Sequence, residues 1–295
     1  MRLEGVIAPV ITPFTKDEEI DEEKITEYLD FLIKHGVHGL FILGTNGEGP
    51  LLTLEEKKRV IKIAVEYING RVPIIAGTGC ISTKETIELS KYAEEVGANS
   101  VAIVTPYYYP VSQQGLIKHY TRIAESIDLP VIIYHIPDRT GNKINLDTLI
   151  QLAKIENIVG IKDSSKDITW FYNAVIMVRE KRNDFYFFGG SDALIYTHLS
   201  LGGNGVVSAV ANVFPEIVVE LYEEFKRGNY ESAKRSQDKI LRIRRALKNG
   251  PYMAGVKGAL KLRGMDFLEP RSPLQSLDEE ELKRLEEDLR KIGVL

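Results

Sequence analysis

Short apolar runs alternate with amphipathic stretches along most of this chain. The runs cover residues 6–13, 39–44, 73–77, 100–106, 130–137, 158–162, 185–190 and 205–210. They are continuous rather than alternating, the pattern of strands buried on both faces of a parallel sheet. The segments between them start like helices. Thr53-Leu54-Glu55-Glu56 and Ser82-Thr83-Lys84-Glu85 read as capping boxes, Asp21 precedes a helix over 22–35, and Asp167 precedes one reaching about residue 178. Pro215 opens a helix over 216–226. Eight strand–helix units with short connections favour a closed (β/α)8 barrel, with an open doubly wound sheet as the structural rival.

The rhythm changes after about Gly228. Strand signals stop, and apolar residues fall at helical spacing over 233–247 and 254–262. Another capping box, Ser276-Leu277-Asp278-Glu279, announces a last helix, set apart by the proline-containing stretch 269–273. The expected organisation is a catalytic barrel over 1–228 and a helical extension over 229–295.

Composition narrows the function classes. With 42 acidic against 38 basic residues the net charge is −4, which carries no nucleic-acid footprint. The single cysteine, Cys80, fits a reducing compartment, and the beginning Met1-Arg2-Leu3-Glu4 lacks the apolar stretch of a secretory signal. No apolar run approaches the roughly 20 residues that span a bilayer. The expectation is a cytoplasmic protein without a membrane partner. The five histidines show no metal-ligand spacing, so neither metal nor cofactor is expected.

In a barrel, chemistry gathers where the strands end. Lys162 closes the run at 158–162 and is followed by Asp163-Ser164-Ser165. An amine in an apolar pocket is shifted toward its neutral, nucleophilic form, as Schiff-base chemistry with a carbonyl requires. Its alternative is a lysine that marks where a strand surfaces. Gly44-Thr45-Asn46-Gly47-Glu48-Gly49 follows the second run and reads as a ligand-approach loop or a plain turn. Thr105-Pro106-Tyr107-Tyr108-Tyr109-Pro110 follows the fourth, as site or interface patch. Tyr134 and His135 face opposite sides of the fifth, so if Tyr134 points inward beside Lys162, His135 is structural. Cys80 is expected in the pocket wall, and Trp170 in packing.

These residues, in this order, resemble the dihydrodipicolinate synthase / N-acetylneuraminate lyase family of pyruvate-dependent class I aldolases. The resemblance rests on Gly44 to Glu48, Pro106-Tyr107-Tyr108, Tyr134-x-x-Pro137, Gly160-Ile161-Lys162-Asp163, Gly190-Ser191-Asp192 and Gly202-Gly203-x-Gly205-Val206-Val207-Ser208. It implies that Lys162 forms the Schiff base and Tyr134 moves protons. Thr45 and Tyr108 would complete a relay, Tyr108 reaching in from a neighbouring subunit. The backbone amides of Thr45 and Asn46 would hold the pyruvate carboxylate, with Gly190 and Val207 lining the pocket. It also implies an assembly of at least two copies, usually a dimer of dimers.

Arg139 stands where the synthase branch binds the carboxylate of aspartate semialdehyde. Asn46, His135 and Gly250-Pro251-Tyr252 depart from that branch, and the tyrosine run is closer to archaeal 2-keto-3-deoxy-gluconate aldolases. Three readings follow: a lyase cleaving a 2-keto-3-deoxy sugar acid or related 2-oxo acid, the condensing 4-hydroxy-tetrahydrodipicolinate synthase, and a non-catalytic keto-acid-binding barrel.

Overall fold

The computed structural model describes residues 3–251, 253–266 and 270–295; Met1, Arg2, Tyr252 and Glu269, which figured in the sequence reading, lie outside the described residues. Eight parallel strands close a barrel in sequence order: β1 (Gly5–Pro9), β2 (Gly39–Ile42), β3 (Ile74–Gly77), β4 (Ser100–Val104), β5 (Val131–His135), β6 (Ile158–Asp163), β7 (Tyr186–Gly189) and β8 (Gly205–Val207), which pairs back onto β1. The open sheet is excluded. Each apolar run coincides with its strand, β1 starting one residue before its run and β6 ending one residue after, and most runs continue past the carboxyl end. Most of the surplus residues are buried in the loops above the barrel.

Helices α1 (Glu22–Lys34), α2 (Leu54–Ile68), α3 (Thr83–Glu95), α4 (Gln113–Ala124), α5 (Pro137–Thr140), α6 (Leu146–Leu152), α7 (Ile168–Arg179), α8 (Ile195–Ser200) and α9 (Pro215–Lys226) follow the strands. The caps announced for α1, α2, α3 and α7 are where the sequence places them, and Pro215 opens α9, but one of the announced boxes is incomplete. Asp21, Thr53 and Asp167 each accept an amide of the first turn, and Thr53 and Glu56 form the complete reciprocal box. Ser82 accepts the Glu85 amide, but the Glu85 carboxylate meets the Ser82 hydroxyl, so that box is half formed.

Two apolar layers result. Between strands and helices lies the main core; inside the barrel lies a smaller cluster that includes Ile7, Phe41, Ile75, Tyr134, Phe188 and Val207. Three further helices follow, α10 (Tyr230–Ala246), α11 (Ala254–Leu262) and α12 (Glu279–Ile292): α10 packs on α8 and α9, α12 packs on α10 and α11, and residues of α10 and α11 reach over the carboxyl end of the barrel. The cap of α12 is Asp278 with Glu281, two residues beyond the expected Ser276 box. Leu277 decides this: with Leu282 it lies over Gly258 of α11, a hydrophobic staple that works only if Asp278 is the cap. Among the described residues no helix is long and apolar enough to cross a membrane.

Candidate active site

Strand register builds the centre of the site. Tyr134 on β5, Lys162 on β6 and Phe188 on β7 are direct partners, so all three side chains enter the barrel at one level. Lys162 is 6% exposed, its Nζ 3.8 Å from the Tyr134 ring centroid and 4.8 Å from that of Phe41. Burial pushes its pKa down to about 7, and the carboxylate of Asp192 works the other way. Near neutral pH a large fraction of this amine is therefore unprotonated. Burial raises the Tyr134 phenol, while hydrogen bonds with Thr45 and Ser164 pull it back. Its hydroxyl lies 2.9 Å from Thr45 Oγ1. A neutral amine beside a phenol that can pass protons can attack a carbonyl and assist loss of water.

The loop that carries Thr45 is strained and clamped. Leu43 and Glu48, on either side of it, hold left-handed backbone at φ +58° and +55°, a conformation that costs a non-glycine residue about 1 kcal/mol or more. A side chain at Gly49 would collide with the Leu43 carbonyl. Anchors hold the loop on both sides. Thr12 donates to the Gly47 carbonyl at 2.6 Å, and the buried Glu48 carboxylate meets Lys257 Nζ at 2.7 Å and the Arg271 amide at 2.8 Å. Two residues of the C-terminal extension thus fix a loop of the barrel. Thr45 and Asn46 are held at the floor of the site with little freedom to move.

Above them opens a cavity of about 680 Å³. Thr45, Asn46, Tyr134, Arg139, Lys162, Gly190 and Val207 all line it. At Gly190 a side chain would strike the Ser164 hydroxyl, so glycine keeps the wall open beside Lys162. Arg139, on α5, sits exposed at the rim.

The model of the Dihydrodipicolinate synthetase family matches residues 2–292. The chain belongs to that family. It is 46% identical to an uncharacterized DapA-like lyase of Halobacterium salinarum, over 99% of this chain and 95% of that one. It is 41% identical to the 4-hydroxy-tetrahydrodipicolinate synthase of Methanopyrus kandleri, over 100% and 98% of the two chains. Among solved structures it is similar to YagE, a prophage protein of the dihydrodipicolinic acid synthase family from E. coli K12 in complex with pyruvate (TM-score 0.96, 32% identity, 100% of both chains). The dihydrodipicolinate synthase of Thermotoga maritima matches with TM-score 0.94 at 35% identity, over 99% of each chain. The family is one of lyases and synthases on this barrel, and the protein is an enzyme of that class.

Within this family frame one expected residue stands apart. Tyr108 is 80% exposed with φ +78°, its ring against Tyr109 at 4.8 Å, and it does not reach Thr45 of its own chain. A second, smaller cavity of about 280 Å³ adjoins Thr45 and Tyr134 and is lined by Tyr107. His135 faces the helices, as strand alternation requires. Its Nε2 accepts the Ile144 amide, so Nδ1 carries the proton given to Asp163 at 2.8 Å, and its ring packs on Trp170. Cys80 corrects the sequence reading. It is buried under the turn that Thr78 and Thr86 close, and it is not among the residues lining either cavity.

Four side chains escaped the sequence reading. Phe41 supplies the second ring face over Lys162. Ser164 and Asp192 line the cavity, the latter fixed by Ser208 at 2.5 Å. Their signal was present, since both stand in the quoted motifs, but nothing local gave them a role. Lys257 carries the same signal as Lys162, a lysine inside an apolar stretch.

Proposed function

We propose that the protein is a Schiff-base, pyruvate-dependent aldolase that cleaves a 2-keto-3-deoxy sugar acid, or a related 2-oxo acid, to pyruvate and an aldehyde. One observation carries the reading: a buried amine with a pKa near 7 lies against a tyrosine whose hydroxyl is tied to Thr45. The neutral Nζ attacks C2 of the 2-oxo acid, and Tyr134 protonates the departing hydroxyl as water. The resulting iminium withdraws electrons. Tyr134 then takes the proton from the C4 hydroxyl, the C3–C4 bond breaks, and its electron pair forms the enamine as the aldehyde leaves. Protonation at C3 and hydrolysis release pyruvate and restore the amine.

The amides of Thr45 and Asn46 hold the substrate carboxylate in this scheme, with Gly190 and Val207 as walls. Barrel 1–228 does the chemistry and extension 229–295 braces it. Tyr108 of a second copy enters beside Thr45, which makes the working form at least a dimer, and a dimer of dimers on the family pattern. A large cavity lined by Ser164, Ser191 and Asp192 suits a polyhydroxylated chain. The enzyme is expected to work in the cytoplasm without metal or cofactor.

Arg139 on the cavity wall favours a second reading, the condensation of pyruvate with aspartate semialdehyde named for the Methanopyrus relative. Borohydride reduction with a panel of 2-oxo acids, followed by peptide mass mapping, tests both. An adduct on Lys162 is expected, and the unmodified mass with every 2-oxo acid would refute the scheme. Arg139→Ala should abolish condensation with aspartate semialdehyde if that is the native reaction, and spare sugar-acid cleavage if it is not.

A further inference from the structure

The tyrosine loop at 106–111 is held in an unusual way. Tyr108 and Tyr109 on it are exposed, and Tyr108 sits in left-handed backbone at φ +78°. That conformation is uncommon and costly for an aromatic residue, so the surroundings must impose it. Among the described residues, no hydrogen bond joins the main chain of 106–111 to another main-chain group. Its bonds go instead to a single side chain. Asn142 Nδ2 donates to the Pro106 carbonyl at 2.8 Å and to the Tyr109 carbonyl at 2.9 Å, and Asn142 Oδ1 accepts the Val111 amide at 2.7 Å.

Asn142 is itself 4% exposed and fixed in place. It follows Gly141, the left-handed residue that ends α5. Its amide donates to Thr140 Oγ1 at 3.2 Å, and Thr105 Oγ1 donates to the same Thr140 oxygen at 2.8 Å. A side-chain amide offers two donors and an accepting oxygen, which match two carbonyls and one N–H; a carboxylate or a hydroxyl cannot match all three. Asn142 therefore brackets the tyrosine loop to the turn that carries Arg139.

We infer that Asn142 is a positioning residue for Tyr108 and that it acts in trans, the Asn142 of one copy setting the proton relay in the cavity of another. The inference rests on the reading that Tyr108 enters a second copy's site beside Thr45, and it names what holds that tyrosine in place. Tyr108 does not reach Thr45 of its own chain, so the bracket serves a site to which it does not belong. Tyr107, on the same loop, lines the second cavity of its own chain, which makes an effect in cis the rival account.

The test follows exchange of pyruvate C3 hydrogens in heavy water by NMR. The iminium loses a C3 proton to give the enamine, and reprotonation from solvent delivers deuterium, so no aldehyde is required. Asn142→Ala should lower kcat for exchange about 10- to 100-fold with little change in KM. Asn142→Asp keeps the acceptor for Val111 but turns an oxygen on two carbonyls, so it should lose as much, and it replaces the alanine variant if that one does not fold. Mixed assemblies decide between trans and cis. Each is co-expressed with Lys162→Met and purified through a different tag on each chain. There the Lys162 of an Asn142→Ala copy receives Tyr108 from a copy with an intact bracket. Exchange should return to about half the wild-type rate, one complete site in each pair. Tyr108→Phe mixed with Lys162→Met should recover likewise. Wild type that leaves pyruvate unlabelled refutes the Schiff-base reading and the inference with it. Tyr108→Phe that is not rescued by mixing refutes the entry of that tyrosine from a second copy. Rescue of Tyr108→Phe but not of Asn142→Ala overturns the role of Asn142 in trans, and so does an Asn142→Ala protein that exchanges at the wild-type rate.

Discussion

Two lysines in this molecule are almost equally buried, and their surroundings treat the proton differently. Lys162 is 6% exposed and Lys257 5%. Lys257 meets the Glu48 carboxylate at 2.7 Å and the Thr12 carbonyl at 3.3 Å, with the Phe14 ring beneath it. Lys162 meets ring faces, and the acid that acts on it, Asp192, is committed to Ser208. Burial lowers both amines. At Lys257 the direct charge and hydrogen bond of Glu48 oppose that shift, while at Lys162 nothing comparable holds the proton. Burial alone therefore does not free an amine of its proton. Burial without a counter-ion in contact does, and the barrel supplies that at one position and withholds it at the other.

Replacing Lys162 by Met should break the comparison most severely. Borohydride adducts should vanish and turnover should fall roughly 10⁴-fold or more. The same change should make the protein more stable. A drop from 10.5 to about 7 corresponds to roughly 5 kcal/mol of destabilisation while the amine is charged in both states. That penalty is complete below pH 7. Between about pH 7 and 10.5 the unfolded chain binds the extra proton, so wild-type stability rises with pH, and above 10.5 the difference is gone. Urea unfolding at pH 6 and pH 10.5 should show the Lys162→Met gain large at the first and small at the second. A loss of stability at pH 6 would contradict the account.

Lys257→Met should go the other way. It leaves the Glu48 carboxylate buried without its cation, a change that costs about 3–5 kcal/mol. Adding Glu48→Gln to the same protein should recover part of that loss, because both charges are then gone. Additive losses in the double variant, measured by urea unfolding, would mean that the two groups do not act as a pair.

The barrel was legible because strands buried on both faces must be apolar throughout, and a run such as 130–137 cannot be confused with a solvated helix. Within it Tyr134 could be turned inward beside Lys162, since alternation along a strand sends His135 to the opposite face, whereas Gly190 was placed only by the family resemblance. Lys257 shows where local reading stops. It stands in an apolar stretch as Lys162 does, and its partner Glu48 lies in a distant part of the chain. No local pattern reports that the two meet. Arg244, in the last turn of α10, was hidden for a related reason: only the path of α10 over the barrel turns that face of the helix to the cavity. The start of α12 failed differently: two overlapping capping boxes compete, and Leu277 packing on α11 chooses between them.

The smallest effect sharpens the comparison most, because it varies the counter-ion and leaves both lysines in place. Asp192 raises the Lys162 pKa against burial. Asp192→Asn removes that charge while keeping an oxygen for the Ser208 hydroxyl to bond. With less to stabilise its proton, the amine should titrate lower, by about one pH unit. The rate of pyruvate trapping in wild type should rise about tenfold per pH unit below pH 7 and level off above it. In the variant that inflection should lie below pH 7, so the variant is faster at pH 6 and matches wild type at pH 8. An inflection that stays in place would mean that Asp192 only shapes the wall. One that moves upward would mean that some other carboxylate controls the amine, and the contrast between Lys162 and Lys257 would need a different cause.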